Sequence, residues 1–198
     1  MSLSAGFIDR ITELYRSFMQ HDAQQADRIK RYRNIEPDSA QYIAMLIRIQ
    51  QSQRILEIGT STGYSTLWMA DAVKATGGRL TTLEIEPSRT EQAKRYATEL
   101  VLHDVIDFWV GDAKDYLRDH AEQQFDLILL DAERDAYVSY WPDLRQMLSQ
   151  AGHVLIVDNV ISHAAEVQEF MNIVKQDQRF MTTTLSLGSG LFIVTAKS

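Results

Sequence analysis

Four carboxylates stand where apolar runs end. Glu57 follows Ile55 and Leu56, Glu84 follows Leu83, Asp131 follows Leu130, and Asp158 follows Val157. A hydrophobic core does not call for acids there, because a buried ionised carboxylate is costly unless it is paired. Such a group can accept hydrogen bonds from a ribose diol, balance a positive ligand, or ligate a hard cation. Gly111 ends a fifth apolar run and leads into Asp112 and Ala113.

The segment from Glu57 through Gly59, Ser61 and Gly63 to Ser65 has glycines spaced for a turn between a strand and a helix. Glycine in such a turn lets a ligand approach the backbone closely. A dinucleotide fingerprint beginning at Gly59 would need glycine at 61 and 64, where this chain has Ser61 and Tyr64. An acid just before the turn repels a pyrophosphate. It suits instead a nucleoside bearing an ammonium and a sulfonium. Glu84, with Ile85 beside it, lies where the ribose-binding acid of nucleoside sites belongs.

Asp131, Asp158 and Asn159 form an all-oxygen set at two neighbouring strand ends. Carboxylate and amide oxygens without His or Cys suit Mg²⁺, with Ca²⁺ or Mn²⁺ as alternatives. Asp and Asn also favour turns, so the reading as a cation site rests on Asp131 standing beside the pair.

These residues need a scaffold that brings strand ends together. Short apolar runs at 55–58, 80–85, 105–110, 125–130 and 154–157 read as strands. Helical segments are expected over 64–73, from a cap at Ser88 to 100, over 112–120, from Pro142 to before Gly152, and over 164–175. Runs 180–185 and 191–195 read as a closing hairpin. Ahead of the core, Phe7, Ile11, Leu14, Tyr15 and Phe18 make one helical stripe that covers the sheet or a partner subunit. The polar stretch 21–34 is also read as helical, and a second amphipathic run covers 42–49. Alternating strands and helices imply an α/β domain, a mostly parallel seven-stranded sheet with helices on both faces. One domain spans 1–198, with 1–50 a helical cover and 51–198 the core. Ligands of such sheets sit beyond the carboxyl ends of the strands.

The chain has 198 residues and a formal charge of -7, with no Cys. That excludes disulfides and thiolate metal sites. Without a basic stripe, nucleic acid is not an expected partner. No apolar run approaches the roughly 18 residues of a membrane span, and charges interrupt the first twenty residues, so a cytoplasmic protein is expected.

The motifs have a family resemblance. ILEIGTSTGYSTLWMADA resembles motif I of class I methyltransferases, and LTTLEIEP and FWVGDAKD resemble their second and third motifs. FDLILLDAERDAY and VLIVDNV are similar to the metal-binding segments of the catechol and caffeoyl-CoA O-methyltransferases and their small bacterial relatives. The resemblance implies a Rossmann-like fold and S-adenosylmethionine as methyl donor. It puts Glu57, Gly59 and Ser65 at the methionine end, Glu84 at the ribose, and Gly111 to Ala113 at the adenine. It implies a divalent cation on Asp131, Asp158 and Asn159, a small phenolic acceptor with vicinal oxygens, and a homodimer. The family's general base is a Lys three residues after the first metal-binding Asp, where this chain has Arg134. A guanidinium stays protonated and cannot be a base, so Arg134 is expected to act electrostatically. Its presence keeps open a binding protein without activity; the missing glycines weigh against an NAD-dependent oxidoreductase. His163 reads as a helix-start residue, with contact to the acceptor as the alternative. Trp68, Trp109, Trp141, Tyr137 and Tyr140 read as packing.

Overall fold

A computed structural model describes residues 5–27 and 30–197. Helices α1 (Ala5–Gln24) and α2 (Pro37–Gln50) precede β1 (Arg54–Ile58), α3 (Tyr64–Thr76), β2 (Arg79–Glu84) and α4 (Pro87–Glu99). Then follow β3 (Ile106–Val110), α5 (Ala113–Asp119), β4 (Leu127–Leu130) and α6 (Tyr137–Met147). The chain closes with β5 (Val154–Val157), α7 (Ala164–Gln176), β6 (Phe180–Leu185) and β7 (Leu191–Ala196).

The seven strands form one sheet in the order β3-β2-β1-β4-β5-β7-β6. β1 to β5 are parallel, and β7 enters antiparallel between β5 and β6. Period-two alternation splits the core into two layers. Ile55, Leu127, Leu129, Val154 and Ile156 face α1 to α4. Leu56, Ile58, Ile128, Leu130, Leu155 and Val157 face α5 to α7. Both faces of the central strands are therefore apolar, as a sheet covered on two sides requires.

Three local expectations are corrected. The stretch 21–34 is α-helical only to Gln24; residues 28 and 29 lie outside the described residues, Lys30 belongs to a 3₁₀ turn, and 31–36 run without regular structure. This stretch has no apolar periodicity to bury, and Asp22 takes backbone N–H groups of Tyr32 and Arg33 instead. Ser88 is not the cap of α4: Glu86 holds the N-cap position and Pro87 opens the helix, where its fixed φ and absent N–H cost nothing. Pro142 lies inside α6 rather than at its start. Buried Tyr137, Tyr140 and Trp141 carry the helix back towards Ala136, so packing overrides the local break.

The stripe on α1 is spent within the chain. Phe7 meets Trp68 edge-on at 5.4 Å between ring centroids, Tyr15 meets Tyr64 at 4.9 Å, and Phe18 meets Tyr96 at 5.7 Å. Phe7, Ile11, Leu14 and Phe18 are all buried. Of the two expectations for this face, the structure bears out the first: these four side chains cover the core, and Tyr15 stays half-buried. Ile11→Ala is expected to destabilise the protein by about 2–5 kcal/mol through the cavity it leaves. Urea unfolding and sedimentation measure it together, with the association state expected to be unchanged.

Candidate functional site

The central register sets the site. Ile58 pairs with Leu130 and Leu130 with Val157. Pairing continues one residue beyond: Asp131 N–H donates to Ile58 O at 2.9 Å and Asp158 N–H to Leu130 O at 3.2 Å. On the other side Gly59 and Thr60 donate to Leu83 O, and Gly111 donates to Glu84 O. The strand ends thus line up as a row of last residues along one edge. Above them lies a cavity of about 560 Å³, within the range of small-molecule sites.

The turn after β1 borders this cavity with Gly59, Thr60, Ser61 and Ser65. Gly59 has φ 108, and a Cβ there would overlap the Asp131 carbonyl. This close crossing of two backbones is why the first motif needs glycine and why both halves of the site share one wall. Gly63 at φ 92 is pressed against Ala93 of α4 and does not border the cavity. Glu84 accepts Ser61 N–H at 2.7 Å and Glu86 N–H at 3.0 Å. Its carboxylate keeps lone pairs for a diol. Ile85 is 64% exposed and, with Gly111, Asp112 and Ala113, lines the adjoining wall. That gives a flat base an apolar partner. Asp112 also caps α5 by accepting Lys114 N–H at 2.9 Å.

Glu57 lies beneath the cavity rather than on its wall. It is fully buried and accepts hydroxyl hydrogen bonds from Ser65, from Thr66 at 2.5 Å and from Thr82 at 2.6 Å. Burial pushes its pKa up to about 7 against the pull of these three hydroxyls. The carboxylate thus organises the turn and orients Ser65, which does border the cavity. Thr66 and Thr82 escaped the sequence reading. Thr82 had a signal, since period two puts it on the same side of β2 as Glu84.

Asp131 and Asp158 sit side by side, bridged by Asn159. The Asn159 amide donates to Asp131 Oδ1 at 3.3 Å and to Asp158 Oδ2 at 2.8 Å. Asn159 takes φ 64, a left-handed geometry that Asn tolerates better than most residues. Burial raises both acids, and the Asp131 charge raises Asp158 further. Asp158 Oδ1 is buried without a hydrogen-bond partner. Among the described residues no group of three or more His, Cys, Asp or Glu could hold a metal; this set is two acids and an amide. Arg134 lines the cavity on the far side of Asp131. Its side chain is 8% exposed and contacts Glu166 at 3.3 Å, while its Nε is buried without a partner.

His163 lines the cavity as well as standing at the N-cap of α7. Tyr140, read as packing, also reaches the wall. Tyr137 is buried, and its hydroxyl bonds both the N–H and the carbonyl of Ala132, fixing the loop after Asp131. Trp68 and Trp141 are buried, and Trp109 is half-buried beneath Gly111. Residues 31–35 form a wall that sequence reasoning missed. They have no glycine, apolar period or motif to announce them.

A family model described as O-methyltransferase matches residues 9–197. The chain is 32% identical over 139 residues to a catechol O-methyltransferase from Niastella koreensis, covering 69% of this chain and 62% of that protein. It is 34% identical over 142 residues to a catechol O-methyltransferase from Mycobacterium tuberculosis, covering 71% and 61%. The matched stretch thus spans about three fifths of the length of these curated relatives. A Bacillus cereus O-methyltransferase solved in complex with SAH superposes with a TM-score of 0.78 at 25% identity, covering 94% of this chain and 90% of that one. The chain belongs to the O-methyltransferase family. No helix among the described residues is long and apolar enough to cross a membrane.

Glu57 yields a pH test. Its pKa is higher in the folded chain than in the unfolded one, so the native state holds the extra proton. Stability then falls as pH rises from about 4.5 to about 7, after which the cost is fully present. Glu57→Gln removes this group's ionisation and is expected to gain about 3 kcal/mol over the wild type across that window. Urea unfolding as a function of pH, in chelator, measures the difference. A constant offset between the two proteins would show that Glu57 does not titrate there.

Proposed function

We propose that this chain is an S-adenosylmethionine-dependent O-methyltransferase. Its acceptor is a small phenolic molecule with two vicinal oxygens, and a divalent cation sits on Asp131, Asp158 and Asn159. The observation that carries this reading is a single cavity bounded at one end by Ser61, Glu84 and Ile85 and at the other by Asp131, Asn159 and Arg134. A nucleoside and an acceptor can meet there side by side.

The residues fit a hard cation. The donors are all oxygens, and the unpartnered Asp158 Oδ1 is the kind of buried acceptor that a cation satisfies. Ligation by Asn159 needs a half-turn of its amide, which now presents its N–H groups to both acids. When bound, Mg²⁺, Ca²⁺ or Mn²⁺ would ease loss of the acceptor's proton by stabilising the oxyanion. Glu84 holds the ribose hydroxyls, and Ser65 borders the methionine end. The acceptor oxygen forms its bond to the methyl carbon as the sulfur–carbon bond breaks, and the hydroxyl proton leaves to water. Arg134 steadies the negative oxygen and takes no proton. The names of the Niastella and Mycobacterium relatives support a catechol-like acceptor. Arg134 also favours a second reading, a protein that binds the nucleoside without transferring methyl.

Glu84→Ala is expected to weaken S-adenosylhomocysteine binding roughly 10- to 100-fold in calorimetry, the worth of hydrogen bonds to a charged group. Asp158→Ala is expected to retain that binding and lose methylation of catechol, as is the wild type in chelator. Full turnover in chelator would remove the cation from the reaction. Arg134→Lys is expected to match or exceed the wild type on catechol at alkaline pH, because Lys can shed its proton when its pKa is lowered. Methylation of no diphenol by either protein, with nucleoside binding intact, would favour the second reading.

A further inference from the structure

Residues 31–35 have no regular structure, yet Arg31, Tyr32, Arg33, Asn34 and Ile35 all line the cavity. This strap is tied to the nucleoside end. Ser61 Oγ donates to Tyr32 O at 2.7 Å, Asn34 donates to Thr62 Oγ1 at 3.0 Å, and Arg89 donates to Arg31 O at 3.1 Å. It also reaches the acceptor end, where Arg33 pairs with Glu133 at 2.5 Å. One short segment therefore touches both halves of the site.

Arg33 adopts φ 53, a left-handed conformation that is strained for a bulky residue and persists only where its surroundings enforce it. The enforcing group is Asp22, at the end of α1 and outside the cavity lining. Its Oδ1 accepts Tyr32 N–H at 2.7 Å and its Oδ2 accepts Arg33 N–H at 2.9 Å. His21 stacks on Tyr32 with ring centroids 3.8 Å apart and contacts Asp22 at 3.1 Å. The backbone bonds from Tyr32 and Arg33, with His21, hold the Asp22 carboxyl below the usual range against the opposing effect of burial. Two successive N–H groups around a left-handed residue make a concave anion seat. Here the chain's own carboxylate fills that seat.

We propose that Asp22 is a positioning residue: by pinning the strap 31–35 in its strained form it preorganises the nucleoside wall and places Arg33 at the acceptor end. The proposal rests on the assignment of this cavity to S-adenosylmethionine. Without Asp22 the strap relaxes, and nucleoside binding must supply the ordering that the carboxylate now provides.

The test uses the full chain and S-adenosylhomocysteine in calorimetry, with catechol turnover beside it. Asp22→Ala is expected to weaken nucleoside binding roughly tenfold, the worth of one charge-assisted hydrogen bond. Asp22→Asn is expected to fall between, keeping one acceptor oxygen. Arg33→Gly added to Asp22→Ala is expected to recover part of the affinity, because glycine takes positive φ without strain. It is not expected to recover the KM for catechol, because the guanidinium is gone. A merely structural role would lower the melting temperature of all three without this split. Wild-type affinity and KM in Asp22→Ala, with Glu84→Ala weakened, would overturn the proposal alone. The same would hold for an affinity loss that neither Asp22→Asn nor the added Arg33→Gly relieves. Undiminished binding in Glu84→Ala would place the nucleoside elsewhere and overturn both.

Discussion

The structure depends on the parallel register at the centre of the sheet. Ile58, Leu130 and Val157 stand abreast, so the residues that follow them emerge together. Were β4 shifted by one residue against β1, Asp131 would turn to the opposite face and the site would lose its central acid. Apolar side chains on both faces enforce the register, because any slip exchanges the two buried layers. Gly59 then lets the β1 turn cross the Asp131 carbonyl, which joins the two ends of the cavity.

That arrangement concentrates charge where it is costly. Glu57, Asp131 and Asp158 are buried acids, and burial raises the pKa of each. They are accommodated in different ways. Glu57 is satisfied by three hydroxyls within the fold. Asp131 has an amide and the positive field of Arg134 and Arg33. Asp158 keeps one oxygen unsatisfied. A fully bonded acid serves the fold, whereas an incompletely bonded one is a candidate position for a ligand. The distinction separates Glu57 from Asp158, although both stand at the ends of apolar runs.

The left-handed residues Ser61 and Asn159 fall on the cavity wall, as does Arg33. Each is held by hydrogen bonds from elsewhere: Ser61 by Glu84, Asn159 by the two aspartates, and Arg33 by Asp22. Backbone strain at a site persists only where the surroundings enforce it. These bonds connect the wall to β2, β4, β5 and α1, so its shape is set by the assembled sheet rather than by any one loop.

The sequence alone determined the alternation of strands and helices, the closing hairpin and the row of acids at strand ends, because burial on a period of two or 3.6 writes itself into residue order. It also determined that Arg134 is no base, since that follows from the guanidinium itself. Only the tertiary structure decided that Glu57 lies under the cavity, because whether an acid at a strand end faces ligand or hydroxyls depends on α3 and β2 folding over it. Pro142 and Ser88 carried true local preferences that packing and a neighbouring proline overrode. The strap, Asp22 and His21 were invisible in one dimension. Their roles come from hydrogen bonds across ten or more residues, between polar groups whose types are common in any loop.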